Sequence, residues 1–168
     1  MKKSTAAVAV LLCLAILLSL TACGKKRTPA TVSAVREEIR ERGFEVEALG
    51  QDNGAPGVPS AMLPTVQDGV MFIKTQDDAN RLLGSFSVFE TEDEAKRAWD
   101  YFETEAEAAV TGVKSRLANE LIHYSFLRVS DKQTKVLLIR VENTVLLLDA
   151  GPAFFDEADE IAQNLGYK

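Results

Sequence analysis

Residue types that often carry catalysis are scarce in this chain of 168 residues, which has one histidine, two cysteines and one tryptophan. His123 is therefore the single candidate for an imidazole base. The glycines lie between Gly50 and Gly57 or stand alone at element ends, so the chain lacks the glycine-rich loop that cradles phosphate groups. No acidic cluster has the ligand spacing of a calcium loop, because the acids gather at predicted helix starts. The sequence thus indicates no metal ion and no cofactor.

The first 22 residues have the layout of a secretion signal. Lys2 and Lys3 give a positive start, and residues 6–20 are apolar except at Cys13 and Ser19. This length fits the apolar core of a signal peptide, about 7–15 residues, better than a membrane span of about 20 residues. The sequence therefore predicts a signal peptide over residues 1–22.

Residues 20–23 resemble the lipobox of bacterial lipoproteins. Leu20, the small Thr21 and Ala22, and Cys23 match that pattern position by position. In this family the cysteine thiol forms a thioether with diacylglycerol, and the small residues before it fit the lipoprotein signal peptidase. The resemblance implies cleavage before Cys23 and an anchor of two or three acyl chains, which is stable where one chain binds only marginally. An ordinary signal peptide followed by a chance cysteine is the alternative.

Cysteine chemistry is then excluded from the mature chain, because Cys13 leaves with the signal peptide and Cys23 carries lipid. Loss of Lys2 and Lys3 reduces the basic side chains from 19 to 17 against 25 acidic ones, a formal charge of −8. This balance argues against nucleic acid as a partner. The basic run at residues 25–27 suits either a tether along an anionic membrane surface or a solvated linker. The expected location is the outer face of the cell membrane.

The 146 residues from Cys23 onward suit one domain with a tether. We predict a lipidated tether over residues 23–30 and a single extracytoplasmic domain over 31–168. Its elements follow the order helix, strands, helix, strands, helix, which is typical of an α+β domain whose helices pack on one face of an antiparallel sheet. Residues 136–139 and 145–148 are continuously apolar, so both faces of those strands are partly covered or one face binds a partner.

Three local patterns give testable element boundaries. Thr91 and Glu94 form a capping box before an apolar stripe, which predicts a helix from Glu92 to about Thr111. Asp68-Gly69 predicts a tight hairpin between strands at 61–66 and 70–75. A further strand is expected over 121–129.

The mature part also resembles a group of small, mostly uncharacterised lipoproteins of Gram-positive bacteria. The shared features are a Gly-aromatic strand start after the first helix, a phenylalanine before an acidic, alanine-rich helix, an Arg-x-x-Asn-Thr turn and a closing Leu-Gly-Tyr. They correspond here to residues 42–44, Phe89 with Ala95, Arg140 with Asn143 and Thr144, and residues 165–167. The resemblance implies no known activity and supports only the fold outline and the surface location.

Catalysis has one weak candidate. If His123 lies in a strand, it shares a face with Ser125, and a small envelope hydrolase would use them as base and nucleophile with an acid that orients the ring. Neighbours on one strand rarely present a nucleophile to its base, and the chain has no Gly-x-Ser-x-Gly elbow. We therefore assign no catalytic residue, and a packing or surface histidine is the simpler interpretation.

Arg140 is the strongest candidate for ligand binding because it interrupts an apolar strand. An ion pair with Glu142 or hydrogen bonds to the Asn143 turn would explain it structurally. A ligand pocket would instead combine Arg140 with Tyr124 or His123. The sequence favours a non-enzymatic binding or interaction module of the cell envelope, whose partner is an envelope protein or a small ligand. The alternatives are the His123 hydrolase and a carrier of a small anionic or lipid ligand.

Overall fold

The computed structural model describes residues 27–49 and 64–167. The predicted signal peptide, its recognition residues Leu20, Thr21 and Ala22, and the lipidation site Cys23 lie outside the described residues. The same is true of the loop at 50–60 and of residues 61–63. Within the described ranges, no helix has the length and apolar composition that a membrane crossing requires.

One antiparallel sheet organises the described part of the chain. Its strands are β1 (Glu45–Leu49), β2 (Asp68–Thr75), β3 (Arg81–Val88), β4 (Val113–Asn119), β5 (Tyr124–Ser130), β6 (Lys135–Val141) and β7 (Thr144–Ala150). They lie side by side in the order β1-β2-β3-β7-β6-β5-β4. The helices are α1 (Val32–Glu41), α2 (Glu92–Ala109) and α3 (Phe155–Asn164), with short 3-10 turns at Glu120–Ile122 and Pro152–Phe154. The predicted α+β class, antiparallel sheet and element order are confirmed.

The helices occupy both faces of the sheet, which corrects the expectation that they share one face. Leu137 and Leu146 pack in a cluster with α1 and α3, whereas Leu138 and Val145 pack with α2 on the other side. Successive side chains of a strand point to opposite faces. The continuous apolar runs of β6 and β7 therefore bury both faces of the central strands, and the sheet is the middle layer of three.

Helix α2 begins as the capping box predicts. The Thr91 hydroxyl accepts a hydrogen bond from the Glu94 amide, and the Glu94 carboxylate accepts one from the Thr91 amide. These bonds satisfy amide groups that a helix start leaves unpaired, and such a cap contributes about 1 kcal/mol. The predicted apolar stripe, which includes Trp99 and Phe102, is buried against the sheet. This helix forms one wall of the cavity described below.

Two strand predictions are wrong. Asp68 and Gly69 lie inside β2 and form no turn, and residues 64–66 are not a strand. A Cβ on Gly69 would meet the Phe86 carbonyl oxygen at 2.4 Å, so the glycine permits a close backbone approach. The strand expected over 121–129 begins only at Tyr124, and the edge strand β4 was not predicted. Because β4 is exposed at nearly every position, it lacks the alternation that marks a half-buried strand.

Candidate functional site

Arg140 is buried in the sheet, with 1% of its surface exposed. It follows Leu138 on the same face of β6, so its side chain points to the layer occupied by α2. Ser125 of β5 and Val145 of β7 lie directly beside it. Arginine stays charged in proteins, and burying a charge is costly unless other groups compensate it.

The protein satisfies only part of the Arg140 guanidinium. Nη2 donates a hydrogen bond of 3.2 Å to the Ser125 hydroxyl. The Glu120 carboxylate lies 3.5 Å from the same nitrogen, and 62% of its side chain is exposed. Nε and Nη1 have no hydrogen-bond partner among the residues that the structure describes. Two buried donors therefore remain unsatisfied by the described residues.

Arg140 belongs to the lining of a cavity of about 180 Å³ between α2 and the sheet. The lining includes Lys96 and Trp99 from α2, Arg116 from β4, Glu120, Ser125 and Arg140. Two of its cations already have partners: Lys96 pairs with Glu120 at 2.8 Å, and Arg116 binds Glu103 through two nitrogens. Arg140 is therefore the lining cation whose nearest carboxylate, Glu120, forms its closer ion pair with another residue.

Glu120 stays ionised beside this cavity. The hydrogen bond from Lys96 is the main factor that lowers the pKa of the Glu120 carboxyl, and the charge of Arg140 acts in the same direction. Its carboxylate is held by Lys96 at the mouth and reaches toward Arg140 without a hydrogen bond. The cavity wall thus contains an acid that is oriented mainly by a neighbouring lysine.

The structure separates Tyr124 from Arg140. Tyr124 lies on the opposite face of the sheet, where its hydroxyl donates a hydrogen bond of 3.0 Å to the Tyr167 carbonyl oxygen. Burial raises the pKa of the Tyr124 hydroxyl, partly opposed by the charge of Arg27. Tyr124 therefore helps to hold the C-terminal residues against the sheet. The residue of β5 that contacts Arg140 is Ser125.

His123 lies in the turn before β5 and is not part of a strand. Its backbone has a positive φ of 52°, and its Nδ1 lies 2.6 Å from the Glu92 carboxylate at the start of α2. This contact supplies the acid that a hydrolase needs to orient its histidine. The Ser125 hydroxyl, however, accepts from Arg140 on the buried face. The described contacts thus connect His123 to a helix end and Ser125 to the cavity, and they do not join the two.

A second cavity, of about 360 Å³, lies at the other end of the sheet. It is lined in part by Asp149 of β7, Arg81 of β3 and the turn at Gln133 and Thr134. Burial raises the pKa of the Asp149 carboxyl, and the charge of Arg81 only partly opposes this. Ionisation of this partly buried carboxyl at neutral pH therefore reduces the stability of the fold.

The Asp149→Asn variant is expected to unfold at a higher temperature than the wild type at neutral pH. A folded-state pKa above the unfolded value means that folding favours the protonated carboxyl, so stability falls as pH rises through that pKa. An amide cannot ionise and avoids this loss. Thermal unfolding measured across pH checks the prediction, and the difference should vanish well below the ordinary carboxyl pKa of 3.8. A variant that is less stable than the wild type at pH 7 would contradict it.

Within the described ranges, no group of three or more histidine, aspartate or glutamate side chains could hold a metal ion. Comparisons with known protein families, with curated proteins and with solved structures find no match.

Sequence reasoning identified Arg140 but missed Lys96 and Glu120, which lie far from it along the chain. The sequence offered one usable signal, the alternation of side chains along a strand. Tyr124 and Ser125 must point to opposite faces of the sheet, so only one of them can share the face of Arg140.

Proposed function

We propose that this chain is a lipid-anchored extracytoplasmic protein of a bacterial cell envelope, whose α+β domain binds a small anionic ligand at Arg140 without catalysing its reaction. The anchor rests on the resemblance of residues 20–23 to a lipobox. The ligand site rests on one observation: Arg140, whose buried Nε and Nη1 lack partners in the described part of the chain, lines a cavity.

An arginine with a purely structural role would be expected to have its donors satisfied by the protein. Buried polar groups are nearly always hydrogen-bonded, and an unsatisfied one costs about 1–3 kcal/mol or more when charged. The nearest carboxylate, Glu120, is exposed and paired with Lys96. A carboxylate or phosphate oxygen pair matches the planar fork of a guanidinium and would remove this cost. A bound oxyanion therefore accounts for the geometry better than an isolated arginine.

The size and charge of the cavity limit the ligand. A space of about 180 Å³ is smaller than the ~300–1,000 Å³ of typical ligand pockets, so the bound group is small. The lining side chains carry three positive charges, at Lys96, Arg116 and Arg140, and two negative ones, at Asp100 and Glu120, which leaves one net positive charge. A monoanion, such as a carboxylate or a phosphodiester, complements that charge. The buried Trp99 side chain offers an apolar wall for the carbon atoms of such a ligand.

Binding suits this geometry better than hydrolysis. Ser125, which lines the cavity, accepts a hydrogen bond from Arg140, and His123 is held by Glu92 in a separate turn. A nucleophilic serine must instead give its proton to the base. Ser125 is therefore placed to orient the guanidinium and to contact the ligand.

Replacement of Arg140 by methionine tests the ligand site. We expect the wild-type domain to be stabilised by inorganic phosphate or by small carboxylates such as acetate and lactate, and the Arg140→Met variant to lose at least tenfold in affinity. Loss of one charge-assisted, bidentate contact is worth more than the ~1.4 kcal/mol that a tenfold change requires. Because an apolar side chain removes a poorly compensated charge, the variant should be as stable as the wild type or more stable. Calorimetric titration and thermal unfolding measure both quantities.

The matched control is Arg128→Met on the neighbouring strand. Arg128 pairs with Asp159 of α3 on the opposite face of the sheet, and its Nε also lacks a hydrogen-bond partner among the described residues. Because Arg128 does not line the cavity, its loss should leave anion binding unchanged. Two results would overturn the ligand site. In the first, none of the anions tested changes the melting temperature of the wild-type domain. In the second, the Arg140→Met variant binds the anions as tightly as the wild type does.

A further inference from the structure

The chain enters the domain at one defined end of the sheet. The Arg27 guanidinium stacks 4.5 Å above the Tyr124 ring and donates a hydrogen bond of 2.9 Å to the Gly166 carbonyl oxygen. The Ala30 amide donates to the Tyr167 hydroxyl at 2.9 Å. These contacts fasten the N-terminal segment where β5 and β7 begin and β6 ends. We call this the tether end of the sheet.

The tether between this end and the proposed anchor is short. Only Gly24, Lys25 and Lys26 separate Cys23 from Arg27. Four residue steps of fully extended chain span at most about 14 Å. A domain fastened at Arg27 therefore keeps its tether end within that distance of the lipid on Cys23, which makes this the end of the sheet nearest the proposed anchor.

The most exposed large apolar side chain among the described residues lies at this end. Leu121 is 92% exposed and stands in the 3-10 turn that connects β4 to β5. Val113, exposed to 77%, begins β4 at the opposite end of the sheet. Single exposed apolar residues are common on soluble surfaces. Leu121 differs from such residues in its position. It lies next to the start of β5, where Arg27 is fastened, and therefore near the tether.

The charges near the turn have both signs. Glu120 pairs with Lys96 and Glu92 contacts His123, while Glu90 and Asp93 beside Glu92 are exposed acids. The tether adds the basic residues Lys25 and Lys26, which favour anionic headgroups. An apolar tip beside a basic segment is the combination that peripheral proteins use to lie in a membrane interface.

We infer that the tether end is a membrane-docking surface, in which Leu121 inserts into the headgroup region of the bilayer that holds the lipid on Cys23. This inference rests on the proposed lipid anchor. It fixes the orientation of the domain, with the turn at Glu120–Ile122 toward the lipid and the second cavity away from it. Glu120 belongs both to this turn and to the wall of the Arg140 cavity, so that cavity opens beside the headgroup layer.

A labelling experiment tests the orientation in the full-length lipidated protein. Because Cys13 is removed and Cys23 is acylated, a Leu121→Cys variant carries one free thiol for an environment-sensitive fluorophore. In vesicles of phosphatidylcholine and phosphatidylglycerol, the label should shift to shorter wavelength and be quenched by lipids spin-labelled near the headgroup. The matched control is Val113→Cys, whose label should emit as in water.

The outcomes separate the docking surface from the anchor. The mass of the same preparation shows whether Cys23 carries acyl chains. If the acyl mass is present and the label at position 121 is quenched no more than that at 113, the docking surface is wrong and the anchor stands. If the acyl mass is absent, the anchor is wrong and the docking surface is overturned with it. Selective quenching at position 121 supports both.

Discussion

Replacement of Cys23 by alanine is expected to abolish incorporation of radiolabelled fatty acid and to leave a precursor that keeps its signal peptide. The thioether to diacylglycerol forms on the cysteine sulphur, so alanine removes the acceptor. The lipobox resemblance further implies that the peptidase acts on the lipidated form. Because the described core lies within residues 27–167, the domain itself should keep its circular dichroism spectrum. Metabolic labelling and the intact mass of the product measure the two effects.

The sequence offers a matched control for this variant in Cys13. That residue lies within the apolar run of the predicted signal peptide and is removed with it, so Cys13→Ala should label and mature as the wild type does. Fatty-acid labelling that persists in the Cys23→Ala variant would contradict the anchor. An ordinary signal peptide is the alternative named above. It predicts no fatty acid on Cys23, so neither substitution would change the labelling.

Elements with a strong local signal were predictable, and elements defined by their neighbours were not. Helix α2 carries its own cap and apolar stripe, so its start at Glu92 was correct. The β4 strand has neither signal, because it is exposed and held mainly by pairing with β5. Asp68-Gly69 has the chemistry of a tight turn, but Gly69 is required by the close approach of the Phe86 carbonyl. Tertiary packing overrode a local preference there.

The same distinction applies to the candidate site. Arg140 was visible in the sequence because a charge in an apolar strand is a local anomaly. Its neighbours were not, since Lys96 comes from α2 and Glu120 from a turn that was expected to be strand. That shift of the strand start to Tyr124 also explains why His123 does not share a strand face with Ser125. A strand pattern can place a side chain on a face, but the contacts across layers need the fold.

The anchor, the docking surface and the anion site together suggest one arrangement. In the arrangement that these proposals imply, the tether end of the domain would lie on the membrane, and the turn at Glu120–Ile122 would stand between the lipid surface and Arg140. A monoanionic ligand that concentrates at the headgroup layer, a phosphodiester or a carboxylate, would reach the guanidinium past Glu120. The Arg140→Met and Leu121→Cys experiments are independent, because the first works on the domain without lipid and the second without a ligand.

The Gly84→Ala variant is expected to lose about 2 kcal/mol of unfolding free energy, within the ~1–3 kcal/mol that overpacking of a core costs. A Cβ on Gly84 would lie 2.1 Å from the ring of Phe72, the residue of β2 that lies opposite Gly84. The ring cannot move out to solvent, because it is 1% exposed and packs edge-on against Phe44. Chemical denaturation of the domain measures the loss.

In a Phe72→Leu background, the Gly84→Ala substitution should cost less free energy of unfolding, because the smaller side chain frees space above position 84. The cost of the double variant should therefore be less than the sum of the single costs, whereas additive costs would show that Gly84 and Phe72 do not constrain each other.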